Sequence, residues 1–217
     1  MYFTTLKNIV TENNRYYLAY FILLIGSLIV QFNVAQFDVT LFINSFHNTF
    51  LDIFFSYFTD FGDGIFATAV VLMLVLFKRK YWMSSILCFF IPALITQLLK
   101  HYFFSDFERP ILLMKNFPQL HYVDGVNINE LNSFPSGHAT QAFALFTFMA
   151  LVTPYRKYQL LILLAAMLVA VSRIYLLQHF FQDVLAGSFI GLIVSTLIFA
   201  AFETYNKKEK VVGEVKQ

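Results

Sequence analysis

The segment Ser172-Arg173-Ile174-Tyr175-Leu176-Leu177-Gln178-His179-Phe180-Phe181-Gln182-Asp183 places an Arg, a His and an Asp in apolar surroundings, at the mouth of a membrane helix. Ionisable groups in such a position cost free energy and are kept for function. In a helical segment His179 and Asp183 stand at i and i+4, so the carboxylate reaches the imidazole and holds it in one tautomer. That is the geometry of an activated histidine. Upstream, Pro135-Ser136-Gly137-His138 opens another apolar run. Ser136 reads as an N-cap, and Gly137 lets a ligand approach the free N–H groups of a helix start, where an anion is favoured. Lys100 closes a further apolar run and Arg109-Pro110 follows it. Together with Arg173, these cations match the oxygens of a phosphate, the natural occupant of such a cradle.

The elements that carry these residues are membrane helices. Of 217 residues, 59% are hydrophobic and 13% charged, far from the balance of a soluble domain. The charges are too sparse for a nucleic-acid face, and the pI of about 8.6 says little about partners. The single cysteine, Cys88, lies inside an apolar run and reads as a small buried residue, so no internal disulfide is possible. Six apolar runs could cross a hydrocarbon core of ~30 Å. They extend over about Tyr17 to Phe37, Gly64 to Phe77, Trp82 to Leu99, Ser136 to Val152, Tyr158 to Leu176 and Phe180 to Phe202. The second is short. The first lacks a cleavage pattern and reads as a retained span. No repeats or long linkers interrupt the chain, which reads as one integral-membrane domain over 1–217 with a cytoplasmic tail at 203–217. The fold class is therefore all-α, a six-helix transmembrane bundle.

Basic residues orient the bundle, because cytoplasmic connections carry the excess of Lys and Arg. Lys7 and Arg15, then Lys78, Arg79 and Lys80, then Arg156 and Lys157, then Lys207, Lys208, Lys210 and Lys216 all fall on one side of a six-span frame. The expectation is N-in and C-in, with Lys100, Arg109, Lys115 and Arg173 on the outer side. Tyr81 and Trp82 beside a basic connection fit an interfacial anchor. Between the first two spans, Phe42, Phe46, Phe50, Phe54 and Phe58 recur every fourth residue, with Asp38, Asn44, Asn48, Asp52 and Ser56 as polar positions. This predicts an amphipathic helix in the outer interface, an anchor or else a guide for lipid.

Taken together, Lys100 to Arg109-Pro110, Pro135-Ser136-Gly137-His138, and Ser172-Arg173 with His179 and Asp183 resemble the motifs of the type 2 phosphatidic acid phosphatase superfamily. The second and third segments match that pattern without a gap; the first has eight residues between Lys100 and Arg109 where the usual pattern has six. The resemblance covers roughly residues 61–202. It implies a metal-independent, cofactor-free lipid phosphatase in which His179 attacks phosphorus to form a phosphohistidine, with Asp183 orienting it. His138 would protonate the leaving oxygen and then activate water. Lys100, Arg109, Arg173, the Ser136 hydroxyl and the Gly137 N–H would bind the phosphate. The implied substrates are undecaprenyl diphosphate, phosphatidylglycerol phosphate, phosphatidic acid and the phosphates of lipid A, processed at the outer face of a bacterial inner membrane.

Alternatives from other classes are a lipid phosphotransferase with the same site, a vanadate-dependent haloperoxidase, and a non-catalytic membrane protein that only binds a lipid phosphate. No carboxylate cluster suggests a metal site. His47, His101 and His121 have no partner at a telling spacing and read as loop or interface residues, with His121 the nearest to the substrate because its loop leads into Pro135. Asp106, Glu108, Asp124 and Glu130 read as solvated loop charges. Oligomeric state is not encoded in any of these features.

Overall fold

A computed structural model describes residues 1–215 except Lys78 and Ile128, without the side chains of Arg79 and residues 210–215. Among the described residues all regular structure is helical. In chain order the helices are α1 (Tyr2–Glu12), α2 (Asn14–Asn33), α3 (Gln36–Asn44), α4 (Thr49–Phe58), α5 (Gly64–Phe77), α6 (Trp82–Leu98), α7 (Pro110–Leu113), α8 (Gly137–Val152), α9 (Gln159–Tyr175) and α10 (Phe181–Val215). Four helical stretches are long and apolar enough to cross a membrane: Asn14–Asn33, Trp82–Phe103, Arg156–Tyr175 and Phe181–Glu209. A fifth arises if Thr49–Gly62 and Gly64–Phe77, bent by 53° at their junction, count as one span. By length and composition, four or five of the six expected spans are thus present among the described residues. α8 has 16 residues, about 24 Å at ~1.5 Å per residue, less than the ~30 Å of a hydrocarbon core.

The short α8 sits at the centre of the bundle. Its Ala139, Ala142, Ala144 and Ala150 are all fully buried, and small residues let neighbouring helices approach closely. α10 answers with Gly187: a Cβ there would stand 2.6 Å from the carbonyl oxygen of Ser136, so only glycine admits this contact at the start of α8. α2, mostly exposed, is fastened to the centre by three buried tyrosines. Their hydroxyls bond Thr147 (Tyr16, 2.8 Å), Thr196 (Tyr17, 2.9 Å) and Ser188 (Tyr20, 3.2 Å), pairings that apolar surroundings favour.

The predicted amphipathic helix over residues 42–58 is two helices. The break falls at Ser45–Asn48, where the Asn48 side chain accepts the N–H of Leu51 and caps α4 (3.0 Å). Phe42, Phe46 and Phe50 are exposed as expected, whereas the polar Asn44 is buried. Asn44 donates to the carbonyls of His121 and Tyr175, 2.9 Å each. The fourfold Phe spacing marked an exposed stripe but not the cap that ends one helix and starts the next.

Basic connections gather at one end of the bundle. Arg156 pairs with Glu12 (2.9 Å) and Lys80 with Glu203 (3.5 Å), and Glu12, Tyr81, Arg156, Glu203 and Lys207 line one shallow cavity there. Lys78 and Lys216 lie outside the described residues.

Candidate active site

At the other end, four separate chain segments deliver the charged residues. α6 runs on into a π-helical turn, Leu99–Phe103, whose wider winding accommodates an additional residue and sets Lys100 inward, 7% exposed. The following chain folds back as an extended strip, with Arg109 N–H donating to Glu130 (2.9 Å) and Ser133 N–H to Phe107 (2.9 Å). Lys100 Nζ consequently donates to the carbonyl of Asn132 (2.8 Å), and Arg109 Nη2 reaches the same oxygen (3.5 Å). The longer Lys100–Arg109 spacing is absorbed without separating the two cations. Arg109 Nε donates to Leu131 O (3.0 Å), and its Nη1 donates to both the carbonyl and Oε1 of Gln178 (3.1 Å each).

Ser136 caps α8 by accepting the N–H of Ala139 (3.4 Å), and its own N–H donates to the carbonyl of Asp183 (2.9 Å). Next to it, the space where a Gly137 side chain would stand is open. Arg173, in the last turn of α9, donates through Nη1 to Thr59 Oγ1 (2.7 Å) while its Nε has no partner. A guanidinium with five donors thus keeps capacity for an anion. Gly62, in the turn Thr59–Gly62, lies so close to His138 that a Cβ would come within 2.8 Å of its carbonyl.

His179 departs from expectation in its setting. It is not on a helix: α9 ends at Tyr175, Leu177 adopts a left-handed conformation (φ 56°), and α10 begins at Phe181. The carbonyl of Arg173 accepts both the Gln178 (2.9 Å) and His179 (3.1 Å) N–H groups, closing the helix end as a αL-type cap does. Asp183 sits in the first turn of α10, where the helix dipole favours a carboxylate. Its Oδ2 accepts from Ser133 Oγ (2.5 Å) and from the Phe180 N–H (3.0 Å), and lies 3.4 Å from His179 Nδ1. The pair is in contact but longer than a hydrogen bond, and His179 Nδ1 and Asp183 Oδ1 both lack partners.

His179 is 2% exposed. Burial, and then the nearby Arg109, Arg173, Lys100 and His138, hold it well below its ordinary value of 6.5. The folded protein therefore keeps a neutral imidazole where the unfolded chain would take up a proton. Stability present above that value is lost as pH falls below it, by up to ~1.4 kcal/mol per pH unit for one proton. The unfolding temperature in detergent should fall between neutral pH and pH ~5, and the fall should be smaller in His179→Gln. Equal falls in both proteins would contradict it. A second expectation concerns Asp183→Asn, which keeps the shape but loses the charge and one acceptor. Turnover should fall by ~10²- to 10⁴-fold with KM changed far less. A proportionate rise in KM instead would mean that Asp183 serves binding alone.

A cavity of about 710 Å³ opens over this end. His138, Arg173 and Gln178 line it, together with Thr59, Asp60, residues 121–127 and Asn129. Lys100, His179 and Asp183 are not among its lining residues, and Arg109 lines a separate shallow cavity with Asn129 to Asn132. Among the described residues no three His, Cys, Asp or Glu side chains are grouped to hold a metal. Sequence reasoning missed Thr59, Ser133 and Gln178. Ser133 and Gln178 each lie within two residues of a motif, and polar residues so placed were the available signal. His121 is a loop residue that lines the cavity, as expected, and it also has partners the spacing did not show: its Nε2 lies 2.9 Å from Asp52 Oδ2 and its ring stacks on His47 at 4.1 Å.

The family model of the PAP2 superfamily matches residues 81–207, which include Lys100, Arg109, His138, Arg173, His179 and Asp183. The chain belongs to the PAP2 superfamily. Within it, the chain is 28% identical over 161 residues to a lipid A 4'-phosphatase of Bacteroides thetaiotaomicron, covering 71% of each protein. It is 39% identical over 83 residues to lipid phosphate phosphatase 1 of Arabidopsis thaliana, but spans only a quarter of that protein. Among solved structures it resembles LpxE of Aquifex aeolicus, with a TM-score of 0.66 and 25% identity, over 75% of this chain and 93% of that one. The fold is also that of a transmembrane PAP2-type phosphatidylglycerolphosphate phosphatase from Bacillus subtilis, with a TM-score of 0.52 and 22% identity, over 90% and 96% of the two chains.

Proposed function

We propose that this PAP2 phosphatase removes phosphate from a membrane lipid, a phosphomonoester or pyrophosphate, without a metal and through a phosphohistidine. The reading is carried by the placement of one neutral, buried histidine among three cations drawn from separate segments. Neutral His179 attacks phosphorus, and the bond from phosphorus to the leaving oxygen breaks as His138, protonated once the anionic phosphate lies beside it, gives that oxygen its proton. His138 then takes a proton from water, which attacks the phosphohistidine, releases inorganic phosphate and restores His179. Asp183 offsets the charge that develops on the imidazole. Arg173, Arg109 and Lys100, with the Ser136 hydroxyl and the Gly137 N–H, hold the phosphoryl oxygens, where fixed donors contribute most.

The named relatives support a lipid as substrate: one is a lipid A 4'-phosphatase, the others a lipid phosphate phosphatase and a phosphatidylglycerolphosphate phosphatase. The candidates are lipid A phosphate, phosphatidylglycerol phosphate, phosphatidic acid and undecaprenyl diphosphate. Clustering of the basic connections at the end remote from the site supports an N-in, C-in arrangement by the positive-inside rule. The bent α4–α5 pair would be one span and the short α8 a central one, giving six, with the site at the outer face of a bacterial inner membrane.

The test is phosphate release from these four lipids by purified protein in detergent, with and without EDTA. At least one lipid should be hydrolysed, at a rate that EDTA leaves within about two-fold. Complete inhibition by EDTA, reversed by a divalent metal, would overturn the metal-free mechanism.

A further inference from the structure

We propose that the part of the large cavity remote from His138 and Arg173 is a head-group subsite for an uncharged, hydroxyl-bearing ring, that is, a sugar carrying the phosphate. The proposal rests on the phosphatase reading and adds to it which lipid the site accepts. Size is the first argument, since 710 Å³ falls in the range of ~300–1,000 Å³ that encloses a whole small molecule. A phosphate alone would leave most of it empty.

Charge is the second. Arg173 is the only arginine or lysine among the described residues lining the cavity, while Asp52, Asp60 and Asp124 present carboxylates to it. A second phosphate in that space would face like charges, which selects against a diphosphate. Hydroxyl groups find acceptors there instead, and their bonds to carboxylates are charge-assisted. Asp52 is fixed for this use: its Oδ1 accepts from Tyr175 Oη (2.5 Å) and its Oδ2 faces His121 (2.9 Å). An ionised carboxylate has acceptor sites beyond those two.

Shape is the third. Tyr57 and Tyr122 line the cavity and are 74% and 42% exposed, offering broad apolar faces with a hydroxyl at the rim, as the flat C–H side of a sugar ring requires. The loop bearing Tyr122 and Asp124 is also anchored before any ligand arrives. His121 N–H donates to Asn44 Oδ1 (2.8 Å), its carbonyl accepts from Asn44 Nδ2 (2.9 Å), and its ring stacks on His47. A preformed wall lowers the ordering cost of binding.

The experiment compares phosphate release from three probes in the same detergent: lipid A, whose phosphate is on a sugar; phosphatidic acid, which has no head group beyond phosphate; and undecaprenyl diphosphate. The wild-type protein should favour lipid A in kcat/KM by about ten-fold or more over each of the others. Asp124→Lys should lower the ratio of lipid A to diphosphate by a similar factor. Tyr122→Ala, at an exposed loop position where folding is not at stake, should lower the ratio of lipid A to phosphatidic acid. Equal kcat/KM for the three probes, or ratios unmoved by both substitutions, would overturn the subsite while leaving the phosphatase reading intact. Release from none of the probes would overturn both.

Discussion

His179→Ala is expected to abolish phosphate release from every lipid phosphate the wild-type protein hydrolyses, a loss of at least ~10⁴-fold in kcat. The size follows from the role. A residue that forms the covalent intermediate cannot be replaced by the remaining binding groups, which would only hold the substrate for attack by unactivated water. Its setting agrees with that role. The imidazole is 2% exposed, and burial together with four surrounding positive or protonatable groups keeps it neutral with its lone pair available. One residue earlier, Gln178 lines the cavity and receives Arg109, so the same short segment carries both the proposed nucleophile and part of the cavity wall. Binding of the lipid phosphate should survive the substitution, because the cations stay in place. Retained phosphate release in His179→Ala would remove the phosphohistidine on this residue and require another nucleophile.

Arg173→Lys should lower kcat/KM by ~10²- to 10³-fold although the charge is conserved. Arg173 donates to Thr59 and lines the cavity beside His138, with its Nε unpartnered. A lysine ammonium could still meet the Thr59 hydroxyl, but one point charge cannot bond that oxygen and also fork across two phosphoryl oxygens. The protein should remain folded, with an unfolding temperature near that of the wild type, since the charge and most of the side-chain stem are kept. A loss of less than about three-fold would mean that Arg173 acts through charge alone, or on the turn Thr59–Gly62 and not on substrate.

Legibility followed the range of each interaction. Arg173, His179 and Asp183 lie within eleven positions of one another, and their residue types alone pointed to a candidate site. Ser136 and Gly137 were readable as a helix start because capping is a local property of a few residues. The bend that puts His179 between two helices was not readable, since Leu177 is an unusual residue for a left-handed cap and gives no turn signal. The same limit applies to the stretch from Phe42 to Phe58. Its periodicity is real on the exposed side, yet Asn44 and Asp52 are turned to partners at His121 and Tyr175, far along the chain.

The sequence by itself determined that this chain is an apolar helical protein with its basic connections segregated from the Arg, Lys, His and Asp of its motifs. Run length, charge placement and motif spacing are local quantities, and they survive without knowledge of the packing. Only the tertiary structure decided which groups fix that set. Ser133 meets Asp183 across 50 positions, Thr59 meets Arg173 across 114 and Asp52 meets Tyr175 across 123. Such contacts depend on how closely α8, α9 and α10 pack, and that closeness is set by alanines and glycines whose small size gives no chemical signal of its own.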